Sequence, residues 1–169
     1  YAITVCNELE EITNLLNFLQ TNIKEEDEIV IQYDESGVTD EVLDYLKLMD
    51  KMHSNHKVIG FPLNKDFASF KNNLKSHCSK DYIFQIDADE IPHESLVEVI
   101  NEVLDTNPVD VIFLPRVNTV KGLSDEHIKK WGWNVNEEGW VNFPDYQTRI
   151  YKNTEDVTWM NKVHVWAGT

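Results

Sequence analysis

Tyr82-Ile83-Phe84-Gln85-Ile86-Asp87-Ala88-Asp89-Glu90 is the stretch on which the reading of this chain turns. Residues 82–86 form a short apolar run that suits a strand, and the run stops abruptly at three acids. Residues two apart at an extended strand end point the same way, so Asp87 and Asp89 can present two carboxylates to one ion, with Ala88 keeping the space between them small. Two hard oxygen donors leave most of an octahedral shell to water and ligand phosphates, the usual arrangement for Mg²⁺ or Mn²⁺ on a nucleotide. An Asp-x-Asp is also a common accident in an acidic protein. What favours a metal role is the apolar strand before it, since unpaired acids at a buried strand end are costly.

Working outward, the same alternation of strand and helix repeats. Residues 1–6 read as a strand, Asn7 as a helix N-cap with Glu10 three residues on, and Leu9, Ile12, Leu15, Leu16 and Leu19 recur at helical spacing. Residues 28–33 form a second strand, buried on both faces, that stops at Asp34. Thr39 then caps a helix whose first turn holds Asp40 and Glu41, favourably placed against the helix dipole. Residues 58–61 are a third strand, residues 67–78 a helix, and Pro92 precedes another helix carrying Leu96, Val97, Ile100, Val103 and Leu104 before a strand at 109–114. Strands alternating with helices predict a mostly parallel α/β sheet. Ligands of such sheets bind beyond the carboxyl ends of the strands, where Asn7, Glu8, Asp34, Asp87 and Asp89 all fall.

Composition limits what such a sheet can bind. The 169 residues carry 15 Lys plus Arg against 30 Asp plus Glu, a formal charge of −15, and this acidity with no basic patch argues against a nucleic-acid or membrane-surface partner. An anionic ligand is expected to arrive with a cation. At 41% hydrophobic and 27% charged the chain is globular in composition, and its length favours one domain, 1–169. No apolar stretch approaches the ~20 residues of a membrane span. The chain opens with Tyr1 and shows no basic, apolar leader, and the expectation is a cytoplasmic protein. Cys6 and Cys78 read as free thiols. After about residue 115 helical periodicity fades, and Trp131, Trp133, Trp140, Trp159 and Trp166 supply every tryptophan, which marks a second subregion.

At this point the sequence resembles the family 2 glycosyltransferases. The matching stretches are Ile3-Thr4-Val5-Cys6-Asn7-Glu8, the segment from Asp34-Glu35-Ser36 to Glu41, residues 64–72, and the opening stretch ending Asp87-Ala88-Asp89-Glu90, in the family's order and spacing. Phe143-Pro144-Asp145-Tyr146-Gln147-Thr148-Arg149-Ile150-Tyr151 and Asn161-Lys162-Val163-His164 are similar to segments that follow the acceptor region in bacterial sugar transferases of this family. The resemblance implies a GT-A fold, a Rossmann-like three-layer α/β/α arrangement, with a nucleotide-sugar site in residues 1–115 and an acceptor side in 116–169. It implies a nucleotide-sugar donor, often a UDP-sugar, Mn²⁺ or Mg²⁺, a saccharide, lipid or protein acceptor, and inversion at the anomeric carbon.

Carried over by residue, Asp34 contacts the base, Thr4, Asn7 and Glu8 shape the nucleoside pocket, and Lys71 and Ala88 belong to the donor site. Asp87 lies near ribose or metal, Asp89 is the direct metal ligand, and His164 adds a nitrogen to the metal or meets the diphosphate. Asp145, after Pro144 in a turn and before a strand at 147–151, is the expected general base, with Glu90 and the Glu137-Glu138 pair as rivals. Plainer readings stand beside these. Lys71 on a helix is a solvated or snorkelling side chain, His53 and His56 are surface residues, and Arg149 pairs with a diphosphate or with one of the nearby acids. Trp131, Trp133 and Trp140 are either core or an aromatic platform for an acceptor sugar. A binding module that has lost turnover is the main alternative to an enzyme. A nucleotidyltransferase ranks lower because the place of its basic, glycine-rich phosphate loop is the acidic Asn7-Glu8-Leu9-Glu10-Glu11, and an EF-hand lacks its spaced ligands.

Overall fold

The computed structural model describes residues 1–162 and 166–168. The elements run β1 (Ala2–Val5), α1 (Leu9–Asn22), β2 (Ile29–Asp34), α2 (Asp40–Met52), β3 (His56–Phe61), α3 (Phe67–Ser76), β4 (Tyr82–Asp87), α4 (Glu94–Thr106), β5 (Val111–Asn118), α5 (Asp125–Trp131), β6 (Val141–Lys152), β7 (Thr158–Met160) and β8 (Trp166–Gly168). Six strands form one sheet in the order β3-β2-β1-β4-β6-β5, and β7 and β8 pair separately. The first four strands of that order are parallel, whereas β6 runs antiparallel to both neighbours. The late segment therefore inserts its longest strand into the sheet begun by the first half, between β4 and the edge strand β5.

Alternation along the strands distributes the core between two faces. Ile3, Val5, Ile29, Ile31 and Ile86 pack with Ile12, Leu15, Leu16 and Leu19 of α1 and with Val42 and Leu46 of α2. Ala2, Val30 and Ile83 turn to the opposite face, where Ala68 and Leu74 of α3 meet Tyr151, Val157 and Trp159. Each face needs its own cover because both are apolar, and the result is three layers. On the second face the side-chain amide of Asn72 pairs with the backbone of Trp159 in both directions, at 2.9 Å each. The indole N–H of Trp159 donates to the Tyr151 hydroxyl at 3.1 Å.

Several local expectations change. Glu8, not Asn7, is the N-cap of α1; its carboxylate turns back to accept from the N–H groups of Cys6 and Asn7 at 2.8 and 3.0 Å. Thr39 does cap α2, accepting from Val42. The strand expected over 109–114 begins at Val111 and continues to Asn118, because the longer β6 offers it pairing partners as far as Val141. Asp145 lies inside β6 rather than in a turn before it.

His56 is buried, contrary to the surface position expected for it, since it opens β3 beneath the end of α2. Its ring stacks on His53 with centroids 4.7 Å apart, and among the described residues neither ring nitrogen has a hydrogen-bond partner. Burial, reinforced by the neighbouring His53 and opposed by Asp50, lowers its pKa from 6.5 to about 4. The folded state thus prefers the neutral ring. Its contribution to stability is complete above pH 6.5 and is lost as the pH falls toward 4, a cost of about 3 kcal/mol once both states are protonated. Urea denaturation between pH 7 and 4 is expected to lose less stability in His56→Leu than in the parent chain, by roughly that amount.

Candidate active site

The sheet order changes direction at β1, with β2 and β3 added on one side and β4 on the other, and a cleft of about 350 Å³ opens there at the carboxyl ends. Its wall is made by Thr4, Cys6 and Glu8 at the end of β1, Asp34 at the end of β2, and Asp87, Ala88 and Asp89 at the end of β4. Leu63, Phe67, Phe70 and Lys71 close the side toward α3. A cleft of this volume with a few convergent polar groups is what small-molecule sites look like. Asn7 is exposed and does not line it.

The polar groups of the cleft are already engaged with one another. One oxygen of Asp34, Oδ1, accepts from the N–H groups of Ser36 and Leu63, both at 3.0 Å, which pins the turn after β2 against the loop after β3. These bonds, against the opposing effect of burial, hold Asp34 below the ordinary carboxylate range. The turn also approaches the end of β1: a Cβ at Gly37 would stand 2.7 Å from Cys6 Sγ, so a side chain there requires the thiol to move. Asp87 accepts from the Thr4 hydroxyl at 2.7 Å and lies 3.5 Å from both Lys71 Nζ and Arg149 Nη2. Burial would raise Asp87, but Lys71, Arg149 and Thr4 together hold it ionised, below the usual range.

Lys71 is neither solvated nor snorkelling. Only 6% exposed, it sits between the Asp87 carboxylate and the ring of Trp159, 4.6 Å below its ammonium. Burial lowers its pKa and Asp87 opposes that shift. Arg149 does pair with nearby acids: its guanidinium joins Asp87 to Glu90. Glu90 also accepts from the Asp87 N–H at 3.2 Å and faces Arg116 at 3.6 Å. Burial raises the Glu90 pKa against the pull of Arg149. Beyond Arg116 lies Asp145, bound at Oδ2 by Arg116 Nε and Nη2 at 3.0 and 2.7 Å and by Asn118 at 3.1 Å, and at Oδ1 by Gln147 at 2.7 Å. Against the opposing effect of burial, these donors hold Asp145 ionised.

Asp89 is exposed on the cleft wall beside the engaged Asp87. Among the described residues no three His, Cys, Asp or Glu side chains gather as a metal cage. An ion that brings its own phosphate and water ligands needs only one or two carboxylates, and the Asp87-Asp89 pair at the cleft fits that type of cation. His164 lies outside the described residues. The chain leading to it is tied to the cleft at Lys162, whose carbonyl accepts from the N–H of Phe67 at 3.1 Å.

The remaining candidates separate. Glu137 and Glu138 are exposed at the tip of a turn closed by Asn136 and Gly139. The tryptophans do not make one flat platform. Trp131 stacks on His127 at 5.0 Å and packs at 4.8 Å on Trp133, which occupies its own ring faces, and Trp140 meets Phe143 edge-on. Trp159 belongs to the core. Arg116, Asn118 and Gln147 were not among the expected site residues. The signal for them was the alternation on β5 and β6, where Leu114, Arg116 and Asn118 share a face with Gln147 and Asp145, but it is legible only once the two strands are known to pair.

The family described as glycosyl transferase family 2 matches residues 2–167, and the chain belongs to that family. No curated protein sequence matches it. Among solved structures it is similar to S. aureus TarS 1-349, with a TM-score of 0.62 and 19% identity over 89% of this chain and 45% of that one. The same TarS fragment in complex with UDP-GlcNAc aligns at TM-score 0.59 and 21% identity over 72% of this chain and 35% of that one. Its complex with UDP aligns at 0.59 and 21% over 73% and 36%. The fold is therefore of the GT-A type, and the chain spans less than half the length of the TarS chains it matches.

The buried pairings make Arg149 costly to remove. Arg149→Met leaves Asp87 and Glu90 without their shared cation, and chemical denaturation at pH 7 is expected to show a loss of about 3 kcal/mol. At pH 4 the loss should be smaller, because protonating Glu90 relieves the repulsion.

Proposed function

We propose that the chain is the catalytic part of a metal-dependent, inverting glycosyltransferase that moves a sugar from a UDP-sugar to an acceptor hydroxyl. The observation that carries the proposal is the cleft at the reversal of strand order, where Asp34, Asp87 and Asp89 converge in a chain of glycosyl transferase family 2. The complexes of the similar TarS fragment with UDP-GlcNAc and with UDP support uridine as the nucleotide. Residues 1–115 hold the donor and 116–169 face the acceptor, within one unit.

In this reading the base and ribose lie along β1 and β2. Asp34 retains its second oxygen for the base, because only Oδ1 is spent on the backbone. Thr4, Lys71 and Arg149 fix the angle of the Asp87 carboxylate, leaving the exposed Asp89 as the direct ligand of Mn²⁺ or Mg²⁺. Bound there, the ion supplies positive charge to the diphosphate as it leaves. Lys71 adds a second, fixed cation on the same side. Asp145 takes the proton of the acceptor hydroxyl; that oxygen bonds to the anomeric carbon as the bond from carbon to diphosphate oxygen breaks, and a single displacement inverts the centre. Held below the usual carboxylate range, Asp145 is ionised at neutral pH, at the expense of basic strength. Glu90 is the second candidate for this role, on the specific ground that burial raises its pKa, but its oxygens are turned inward to Arg149, Arg116 and the Asp87 N–H.

Calorimetric titration of UDP is expected to show binding with Mn²⁺ present, loss of binding with EDTA, and affinity at least roughly tenfold weaker in Asp89→Ala. Asp145→Asn should bind UDP normally while UDP release from UDP-GlcNAc, with water as acceptor, falls about a hundredfold or more. Metal-dependent UDP binding without turnover of any UDP-sugar would indicate a binding module, and no binding of UDP, GDP or CMP would overturn the donor site.

A further inference from the structure

Six charged side chains run through the site with alternating sign: Lys71, Asp87, Arg149, Glu90, Arg116 and Asp145. Lys71 and Asp87 line the donor cleft, and Arg149 is buried behind them. Arg116 does neither. It stands on the edge strand β5, off the cleft wall, with 39% of its side chain exposed, where an arginine is ordinarily free in solvent. All three of its guanidinium nitrogens are nonetheless directed at carboxylates, Nε and Nη2 at Asp145 and Nη1 at Glu90.

The bonds to Asp145 are unequal between its two oxygens. Oδ2 receives three donors, from Arg116 twice and from Asn118, while Oδ1 receives one, from Gln147. A carboxylate oxygen offers about two lone-pair sites, so Oδ2 is saturated and Oδ1 keeps one free. Register explains how the clamp is built. Arg116 pairs with Asp145 directly across the β5–β6 ladder, and the next pair, Asn118 with Val141, is displaced by a bulge that takes up residues 142–144. Asn118 reaches the same carboxylate because alternation puts it on the face of Arg116, and the bulge lies just beyond.

We propose that Arg116 is a positioning residue for the acceptor side: it clamps Oδ2 of Asp145 so that Oδ1 alone faces the acceptor hydroxyl, and through Glu90 it fixes Asp145 relative to the Asp87-Asp89 turn. The proposal rests on Asp145 being the general base. The bidentate hold on one oxygen and the second contact to Glu90 require a planar fork, which explains an arginine at this place. Among the described residues the charged groups facing Asp145 are Arg116 from β5 and, behind it, Glu90 from the turn after β4, itself joined to Arg149 of β6. Removing the Arg116 cation disfavours the ionised form of Asp145, so its titration must move to higher pH.

The test is a carboxyl ¹³C NMR titration of the full chain, with the Asp145 signal assigned by its loss in Asp145→Asn. Arg116→Met is expected to raise the Asp145 midpoint and Arg116→Lys to return it most of the way; Arg116→Gln repeats the measurement should the Met form not fold. In UDP-GlcNAc hydrolysis with Mn²⁺, the acid limb of kcat/KM should move upward in Arg116→Met, with kcat at pH 6 about tenfold lower and donor KM within about twofold. An Asp145 midpoint and an acid limb both unmoved in Arg116→Met, with Asp145→Asn inactive, would overturn the proposal alone. Wild-type turnover by Asp145→Asn would instead remove the base on which it rests.

Discussion

Two carboxylates at the end of one strand repel each other, and in this protein the repulsion at the end of β4 is answered by Arg149. Its guanidinium reaches from β6 beneath the turn and lies between Asp87 and Glu90, almost wholly out of water. Without a cation there, the two carboxylates face each other with only Lys71 and Arg116 at their outer sides, and burying them becomes costly. The antiparallel insertion of β6 beside β4 is thus more than a detail of topology, because it delivers the cation that Asp87 and Glu90 share. Lys71 from α3 does the same from the other side of Asp87. In a chain with 15 cationic and 30 acidic side chains, three of the cations are committed to this one row.

That commitment separates two kinds of acid at the cleft. Asp34 and Asp87 on the cleft wall, and Glu90 and Asp145 behind it, are held by backbone amides or by cations. Asp89 is the exposed member of its pair and, among the described residues, is held by neither a cation nor a backbone amide.

The α/β architecture and the acidic strand ends were legible in the sequence because apolar runs and their stops are local. The run at residues 82–86 and the stop at Asp87 need no partner to be read, and Thr39 as a cap is equally local. What escaped was set by distant partners. Lys71 looks like a solvated lysine on its helix until β4 and Trp159 are brought to either side of it. His56 looks polar until α2 and β3 close over it. Asp145 follows a proline, and its strand pairing with Arg116 spans 29 residues of sequence, beyond the range of any periodicity. Glu8 displaced Asn7 as the start of α1 because its longer side chain folds back onto two free amides, a choice between neighbours that pattern alone does not make.

Asn72 shows how little chain is needed to hold the second face. Its carboxamide bonds to the N–H and C=O of Trp159 as a neighbouring strand would, so a single side chain stands in for an absent peptide unit. Lys71, the preceding residue, points its ammonium at Asp87 from the same turn of helix. The dipeptide is therefore a rivet through the layer: one head set in the cleft, the other in the outer hairpin of β7 and β8. Mutations that loosen the hairpin will be felt in the cleft, because Trp159 of the hairpin also carries the ring against which the Lys71 ammonium lies.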